Sequence, residues 1–471
     1  MYDAIIVGAG LAGLQAALTL RQAGLKYLVL EARDRVGGKT LTLKASDGTI
    51  KSDLGAAWIN DTNQSRMWEL AQDLGLHTFT QNTTGDVVVQ DSDGSLVKFP
   101  YGDVPKYPSA QDTDSCVAIR DLVQKLSIGT SPSIFSAGPH RQHLDSMSFE
   151  AFLRESKVTD KAFATAQVWT HAMLGVDPSE VSALCFIEYC AAGGGLMTMR
   201  SDCKDGGQYL RIREGTQAFC TGMAAKLKSG CLKLNSPVVG ITQKPDDSVS
   251  VSTKAPDGQT YQARKVIISI PTPVFKTIAF SPPLPAAKAA VVNHTRYGFY
   301  TKYIISFTKP FWVEKGFCGL AQSFIGPVSV IRDTSIGDDN YCLTCFVGGK
   351  FGRKWAAQDD EVKKASVLKQ IGDIFADGRD ITPFFKEVYE SPWMNEEYSG
   401  FGCPCPSMPP GVLGEGWDAL CAPVGNLHFV GTEFSRVWRG YMEGAVRTGE
   451  SGAMTVIQEL KGGQIGMSAK L

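Results

Sequence analysis

The chain has 471 residues, 43% hydrophobic and 20% charged, which is enough length and apolar material for two or three domains around a large core. A formal net charge of -1 excludes nucleic-acid or membrane-surface binding driven by bulk charge. The 12 cysteines are too sparse for a dense disulfide framework, no apolar run reaches membrane-spanning length, and Met1 leads straight into a first strand, so a soluble protein without a signal peptide is expected.

The first forty residues carry the strongest pattern. Ala4 to Val7 reads as a short buried strand, and Gly8, Gly10 and Gly13 follow it in GxGxxG spacing. Those glycines supply a tight turn, backbone access to a pyrophosphate, and close packing of helix on strand. Leu11, Leu14 and Leu18 then mark one apolar helical face. A second apolar strand, Tyr27 to Leu30, ends at Glu31, about twenty residues beyond the glycines, where a carboxylate accepts hydrogen bonds from an adenosine ribose. The helix N-terminus offers unpaired N–H groups to phosphate. These residues alone leave NAD and FAD both open.

The next segment decides between them. Glu31-Ala32-Arg33 runs on through Arg35-Val36-Gly37-Gly38-Lys39-Thr40, and here the chain resembles the FAD-binding GR2-type flavoproteins. In that family the double glycine, Gly38 included, lets backbone approach the flavin-side phosphates. Arginine is usual where Lys39 stands; lysine keeps the charge but not the bidentate geometry. Asp53-Leu54-Gly55-Ala56-Ala57-Trp58 reads as a small-residue turn beside a ligand, with Trp58 more often a core residue than a cofactor contact.

Val87 to Phe99 reads as a hairpin around Asp93-Gly94, and 101–140 as polar loops about one helix. Residues 147–192 read as helical, Glu180 to Tyr189 included, and Ala191 to Gly195 as a hinge or a close backbone approach. A helix is expected over Ala218 to Leu227, then a strand Leu232 to Ile241 interrupted by Pro237, a hairpin around Pro256-Asp257-Gly258, and the strand Val266 to Ile270. Residues 303–390 alternate strands with a helix near 360–376. Leu427 to Val430 is a further apolar strand running into Gly431-Thr432-Glu433, and Trp438-Arg439-Gly440-Tyr441-Met442-Glu443-Gly444-Ala445 opens a helix to about Leu460. A helix N-terminus aimed at a flavin ring stabilises negative charge on the reduced ring.

This last stretch, with Trp393, Tyr398-Ser399-Gly400, Pro409-Pro410-Gly411 and Lys302 in Gly298-Phe299-Tyr300-Thr301-Lys302, resembles the flavin-containing monoamine oxidase family, soluble fungal members included. The resemblance spans essentially the whole chain. It implies an α/β fold: a GR2-type, Rossmann-like FAD-binding domain, discontinuous in sequence (1–80, 205–295 and 391–460), and a mixed α+β substrate domain (81–204 and 296–390).

It also implies a chemistry. A neutral amine loses a hydride equivalent from its α-carbon to FAD, the imine hydrolyses, and dioxygen takes the electrons to give peroxide. In that reading Lys302 binds a water near flavin N5 and Tyr441 forms one wall of an aromatic cage. Trp393 and Met442 pack on the flavin, Glu433 sits near the ribityl chain, and Val238 holds the adenine through its backbone. Ala32, Arg33, Ala57 and Trp58 complete the cofactor set. Gln208 stands in the cavity wall, with Thr198 or Met199 as gate. Two positions depart from the pattern: Pro404 stands where the second cage aromatic is expected, and Cys403, the candidate for a covalent flavin bond, is one residue out of register with Tyr398-Ser399-Gly400. Covalent and non-covalent FAD both stay open, and Cys403-Pro404-Cys405 lacks the second ligand pair that zinc needs.

The competing readings are an FAD-dependent C–C desaturase and an FAD-stabilised scaffold without activity. The expected partners are a small-molecule amine, dioxygen, a second copy of the chain in a homodimer, and a peroxisomal import receptor. The receptor follows from Ala469-Lys470-Leu471, a close variant of the S-K-L address at the end of a flexible tail, 461–471.

Overall fold

The computed structural model describes residues 1–45, 49–128, 135–254 and 258–462. The expected first strand extends over Tyr2–Val7 and lies inside an eight-stranded sheet. Parallel to it run Tyr27–Leu30 on one side and Thr260–Ile268 on the other. Leu232–Lys233 lies beyond the first and Leu427–Phe429 beyond the second, both again parallel. Strands in this position are covered on both faces, which is why Ala4 to Val7 and Tyr27 to Leu30 are unbroken apolar runs and fully buried.

Each face has its own cover. Ile6, Val29 and Ile267 pack under helices Leu11–Gln22 and Met442–Leu460, while Ile5, Leu28 and Ile268 face Ile241, Val249, Val251 and Phe275. Ile241, Val249 and Val251 belong to an antiparallel meander, Val238–Gln243, Val249–Thr253 and Thr260–Ile268, edged by Ala279–Ser281, and Phe275 to the 3-10 segment Thr272–Thr277. The expected break at Pro237 separates Leu232–Lys233 from Val238–Gln243. The turn at Pro256-Asp257 lies outside the described residues, and its flanking strands pair antiparallel. Gly13 shows why the helix needs a glycine: a Cβ there would stand 2.1 Å from the carbonyl oxygen of Gly8.

A second sheet has seven strands in the order Phe385–Ser391, Tyr300–Phe307, Tyr341–Gly348, Val330–Asp333, Phe317–Ser323, Asp86–Gln90 and Leu96–Pro100. The last two are the hairpin read around Asp93-Gly94. Tyr300–Phe307 is buried along its whole length, and places Lys302 opposite Phe346 and Ser391. The helices Ala110–Ile128, Asp160–Leu174 and Ala183–Ala192 share a separate apolar cluster beside this sheet. The helix expected over Glu180 to Tyr189 is corrected here. Pro178–Glu180 is a single 3-10 turn closed by a capping box with Asp177, Val181 is extended, and Ser182 Oγ accepts from Cys185 N to start Ala183–Ala192. The helix near 360–376 is Asp360–Phe375.

Candidate active site

One continuous cavity of about 660 Å³ runs from the glycine turn of the first sheet to the second sheet. Gly8, Gly10, Glu31, Ala32, Arg33, Gly38 and Val238 line one end. A Cβ on Gly10 would meet nothing closer than Gly37 O at 4.0 Å, so that glycine leaves room in the cavity rather than relieving a clash. Glu31 is held by Ala9 N at 2.7 Å and Arg33 N at 2.9 Å, one to each carboxylate oxygen. Arg33 turns its guanidinium away, to Glu396 at 2.8 Å and Ser399 at 2.9 Å. Further along, Glu433 accepts from Thr272 N at 2.9 Å, and Lys39 donates to the Tyr297 hydroxyl at 2.8 Å. Burial pushes the Lys39 ammonium down to about 8, with nearby Glu433 opposing the shift.

At the junction of the two sheets stand Lys302, Trp58, Trp393 and Cys403, all lining the cavity with Ala57. Lys302 Nζ donates to Asp53 O at 3.1 Å and to Gly55 O, and lies over the rings of Trp58 at 5.3 Å and Phe346 at 5.9 Å. Burial lowers it too, to about 8, with Asp53 opposing the shift. Asp53 is itself raised by burial; Oδ1 is held by Thr42 and Thr216, while Oδ2 has no partner. Trp393 Nε1 donates to Leu54 O at 3.1 Å. Trp58, weighed as a core residue and named in the cofactor set, is half-buried at the cavity wall, where Gln81 Oε1 holds its Nε1 at 2.9 Å. The buried Cys403 thiol is pushed up to about 12 by desolvation, against the pull of Lys39 and Lys302.

Tyr441 is the N-cap residue of Met442–Leu460 and lines the cavity beside Met442, so the helix N-terminus faces the same space. Its hydroxyl meets Gln208 Nε2 at 3.4 Å and the Met199 carbonyl at 3.5 Å, and burial raises its pKa. Gln208 Nε2 also donates to Met199 O at 2.7 Å, while its Oε1 is buried without a partner. Of the two gate candidates, Met199 lines the cavity; Thr198 turns back to the Gly194 carbonyl at 3.2 Å and does not. Pro404 lines the cavity but offers no ring. The Tyr189 ring, from Ala183–Ala192, lies 6.5 Å from that of Tyr441 at 28°, and also lines the cavity.

Residues 11–457 match the family described as flavin containing amine oxidoreductase. The chain belongs to the flavin-containing amine oxidoreductases. It is 29% identical to a probable flavin-containing monoamine oxidase A of Dictyostelium discoideum, across 95% of this chain and 96% of that one. It is 32% identical to the flavin-containing amine oxidase B of Cavia porcellus, across 97% of this chain and 86% of that one. Among solved structures it resembles cyclohexylamine oxidase from Brevibacterium oxydans IH-35A, with a TM-score of 0.89 and 29% identity over 98% of this chain and 99% of that one.

A flavin-containing amine oxidoreductase uses FAD, and the residues present fit it. The open space at Gly10, the Glu31 carboxylate at a strand end and the N-terminus of Leu11–Gln22 suit a ribose and pyrophosphate. The buried Lys39 ammonium suits an anionic group. Lys39 also makes FAD binding pH-dependent in a way an arginine would not. The ligand-free ammonium is lost as pH rises through about 8, whereas phosphate favours the charged form. FAD affinity is therefore expected to weaken by up to about tenfold per pH unit above that value. Fluorescence titration of the cofactor-free protein should show this slope in the wild type and its loss in Lys39→Met.

Tyr189, Tyr297 and Phe346 also shape the site and were not singled out from the sequence; each sits in a segment that reads equally well as core. Asp53 and Tyr300 shape it too, and stand in the turn read beside a ligand and in the stretch around Lys302, without a role of their own there. Among the described residues, no group of three metal-ligating side chains converges and no helix is long and apolar enough to cross a membrane.

Proposed function

We propose that the chain oxidises the α C–N bond of an amine to an imine, which water converts to a carbonyl compound and ammonia or an amine, and that dioxygen takes the two electrons and two protons to give hydrogen peroxide. The observation that carries this reading is the meeting of Lys302 and Tyr441 in one cavity whose other end is built around Glu31. FAD, when bound, accepts the hydride equivalent from the α-carbon. Tyr441 offers a ring face that attracts a cation and orients an amine lone pair, and Tyr189 adds a second ring where Pro404 supplies none. Lys302 holds a positive charge and directed N–H groups in the wall. The likeness to cyclohexylamine oxidase supports an amine as substrate.

The test is anaerobic mixing of the FAD-loaded protein with an amine panel. Bleaching of the flavin, followed by peroxide on admitting air, is the expected result; no bleaching with any amine rejects the reading. Tyr441→Ala should raise the barrier of the anaerobic step by about 1–2 kcal/mol while FAD stays bound. Reduction of that variant at the wild-type rate would show that the ring orients nothing.

We further propose peroxisomal import through Ala469-Lys470-Leu471, which lies outside the described residues. An N-terminal fluorescent fusion should give punctate signal that disperses when the last three residues are removed. Puncta that survive the deletion would show that the tripeptide is not the address.

A further inference from the structure

Four guanidinium groups line the cavity: Arg33, Arg120, Arg200 and Arg332. Three are already matched, Arg33 by Glu396 at the cofactor end. Arg332 pairs with the buried Asp202, and Arg120 lies on Asp121 at 2.7 Å. Arg200 is different. Among the described residues no carboxylate stands within ion-pair distance of it and no acceptor meets its N–H groups; its guanidinium lies over the Trp169 ring at 5.3 Å. Trp169 also lines the cavity, is 1% exposed, and has an indole N–H without a partner. Burial, and then the neighbouring charge of Arg332, lower the Arg200 pKa to about 10. Arg200 is half-buried with its N–H groups open to the cavity, so a guanidinium that the wall leaves unmatched there is free to take an anion.

The cofactor does not supply that anion. The glycine turn, Glu31 and Lys39 mark the phosphate end of the cavity. Arg200 directly follows Met199, whose carbonyl oxygen meets Gln208 and the Tyr441 hydroxyl at the other end. Nor does the wall supply it. Glu31 and Glu433 belong to the cofactor end, and the remaining lining acid, Asp103, is exposed and out of ion-pair reach of Arg200.

We propose that the substrate amine carries an oxyanion, a carboxylate or a phosphate ester, that pairs with Arg200 while the amine is held before Tyr441. The planar guanidinium fork matches either oxyanion in a bidentate way. This rests on the amine-oxidase reading and narrows it to substrates with a negative group at a distance from the reacting carbon. Arg332, already neutralised by Asp202, does not compete for the anion.

The experiment uses the FAD-loaded full chain and three amines of matched length: an alkylamine, the corresponding ω-amino carboxylate, and the corresponding ω-aminoalkyl phosphate. Anaerobic flavin reduction should saturate at lower concentration with one of the anionic amines than with the alkylamine. Arg200→Met should cut that preference by roughly ten- to a hundredfold, the span for losing hydrogen bonds to a charged group, and Arg200→Lys should keep part of it. The better anionic amine tells carboxylate from phosphate. A wild type that prefers the alkylamine, or an Arg200→Met variant that keeps the anionic preference, overturns the proposal while leaving the amine oxidase standing. If no amine reduces the flavin, the amine-oxidase reading fails instead, and propionate titrated against the holoenzyme decides the anion site. Perturbation of the flavin spectrum in the wild type but not in Arg200→Met upholds it, and no difference between them overturns it.

Discussion

Lys302→Met is expected to slow reoxidation by dioxygen by roughly 10²-fold with FAD still bound, and to slow flavin reduction much less. Lys302 is anchored from two backbone carbonyls, Asp53 O and Gly55 O, and lies against the Trp58 and Phe346 rings in the wall of the cavity. A fixed positive charge there needs no reorganisation when negative charge develops on dioxygen, and the surrounding rings keep water from screening it. Methionine fills similar volume without the charge. Because burial puts the wild-type ammonium at about 8, its charged form is lost as pH rises through that value, and the reoxidation rate should fall with it. The methionine variant should lack that fall. Stopped-flow measurement of the two half-reactions over pH reads both effects. A variant that reoxidises at the wild-type rate would place the needed charge elsewhere.

What was legible in the sequence was what short-range chemistry dictates. Strand Tyr27–Leu30 is read to the residue because a strand buried on both faces must be continuously apolar and stop at its first charge, Glu31. The hairpin at Asp93-Gly94 was legible from turn residues between two alternating runs. The helix opening within Trp438 to Ala445 was legible in extent to Leu460, and it starts at Met442. The Glu180 to Tyr189 segment misled because its helical composition outweighed one serine that caps a new helix. The cavity walls were less legible. Lys39 meets Tyr297, and Tyr441 meets Tyr189, across more than 200 residues of chain, and neither partner carries a local mark. Trp58 reads as core by size alone and enters the cofactor set only through the resemblance; Gln81 holds it at the cavity edge beside Lys302. Met199 rather than Thr198 faces inward because of helical phase within Leu196–Arg200, which the glycine-rich approach at Gly193 to Gly195 obscures in the sequence.

Glu31→Gln tests the cofactor end, and its expected effect on FAD retention is the largest of any substitution described for this chain. The carboxylate is 5% exposed and takes one backbone N–H on each oxygen, from Ala9 at 2.7 Å and from Arg33 at 2.9 Å. Each oxygen keeps a lone pair for a ribose hydroxyl. Glutamine is nearly isosteric, but its NH2 replaces one oxygen. Whichever way the amide turns, one backbone donor then faces another donor, and one ribose hydroxyl loses its charged acceptor. Hydrogen bonds to a charged group are worth about 1.5–3 kcal/mol each, so losing one outright and weakening the other should raise the FAD dissociation constant by roughly 10²- to 10⁴-fold. The fold should survive, because the strand packing that surrounds Glu31 is apolar and unchanged on both sheet faces. Fluorescence titration of the cofactor-free variant, with circular dichroism against the wild type, separates a lost cofactor from a lost fold. Near wild-type FAD affinity in a folded Glu31→Gln protein would mean that the ribose is held elsewhere and that the carboxylate serves only to brace the turns at Ala9 and Arg33.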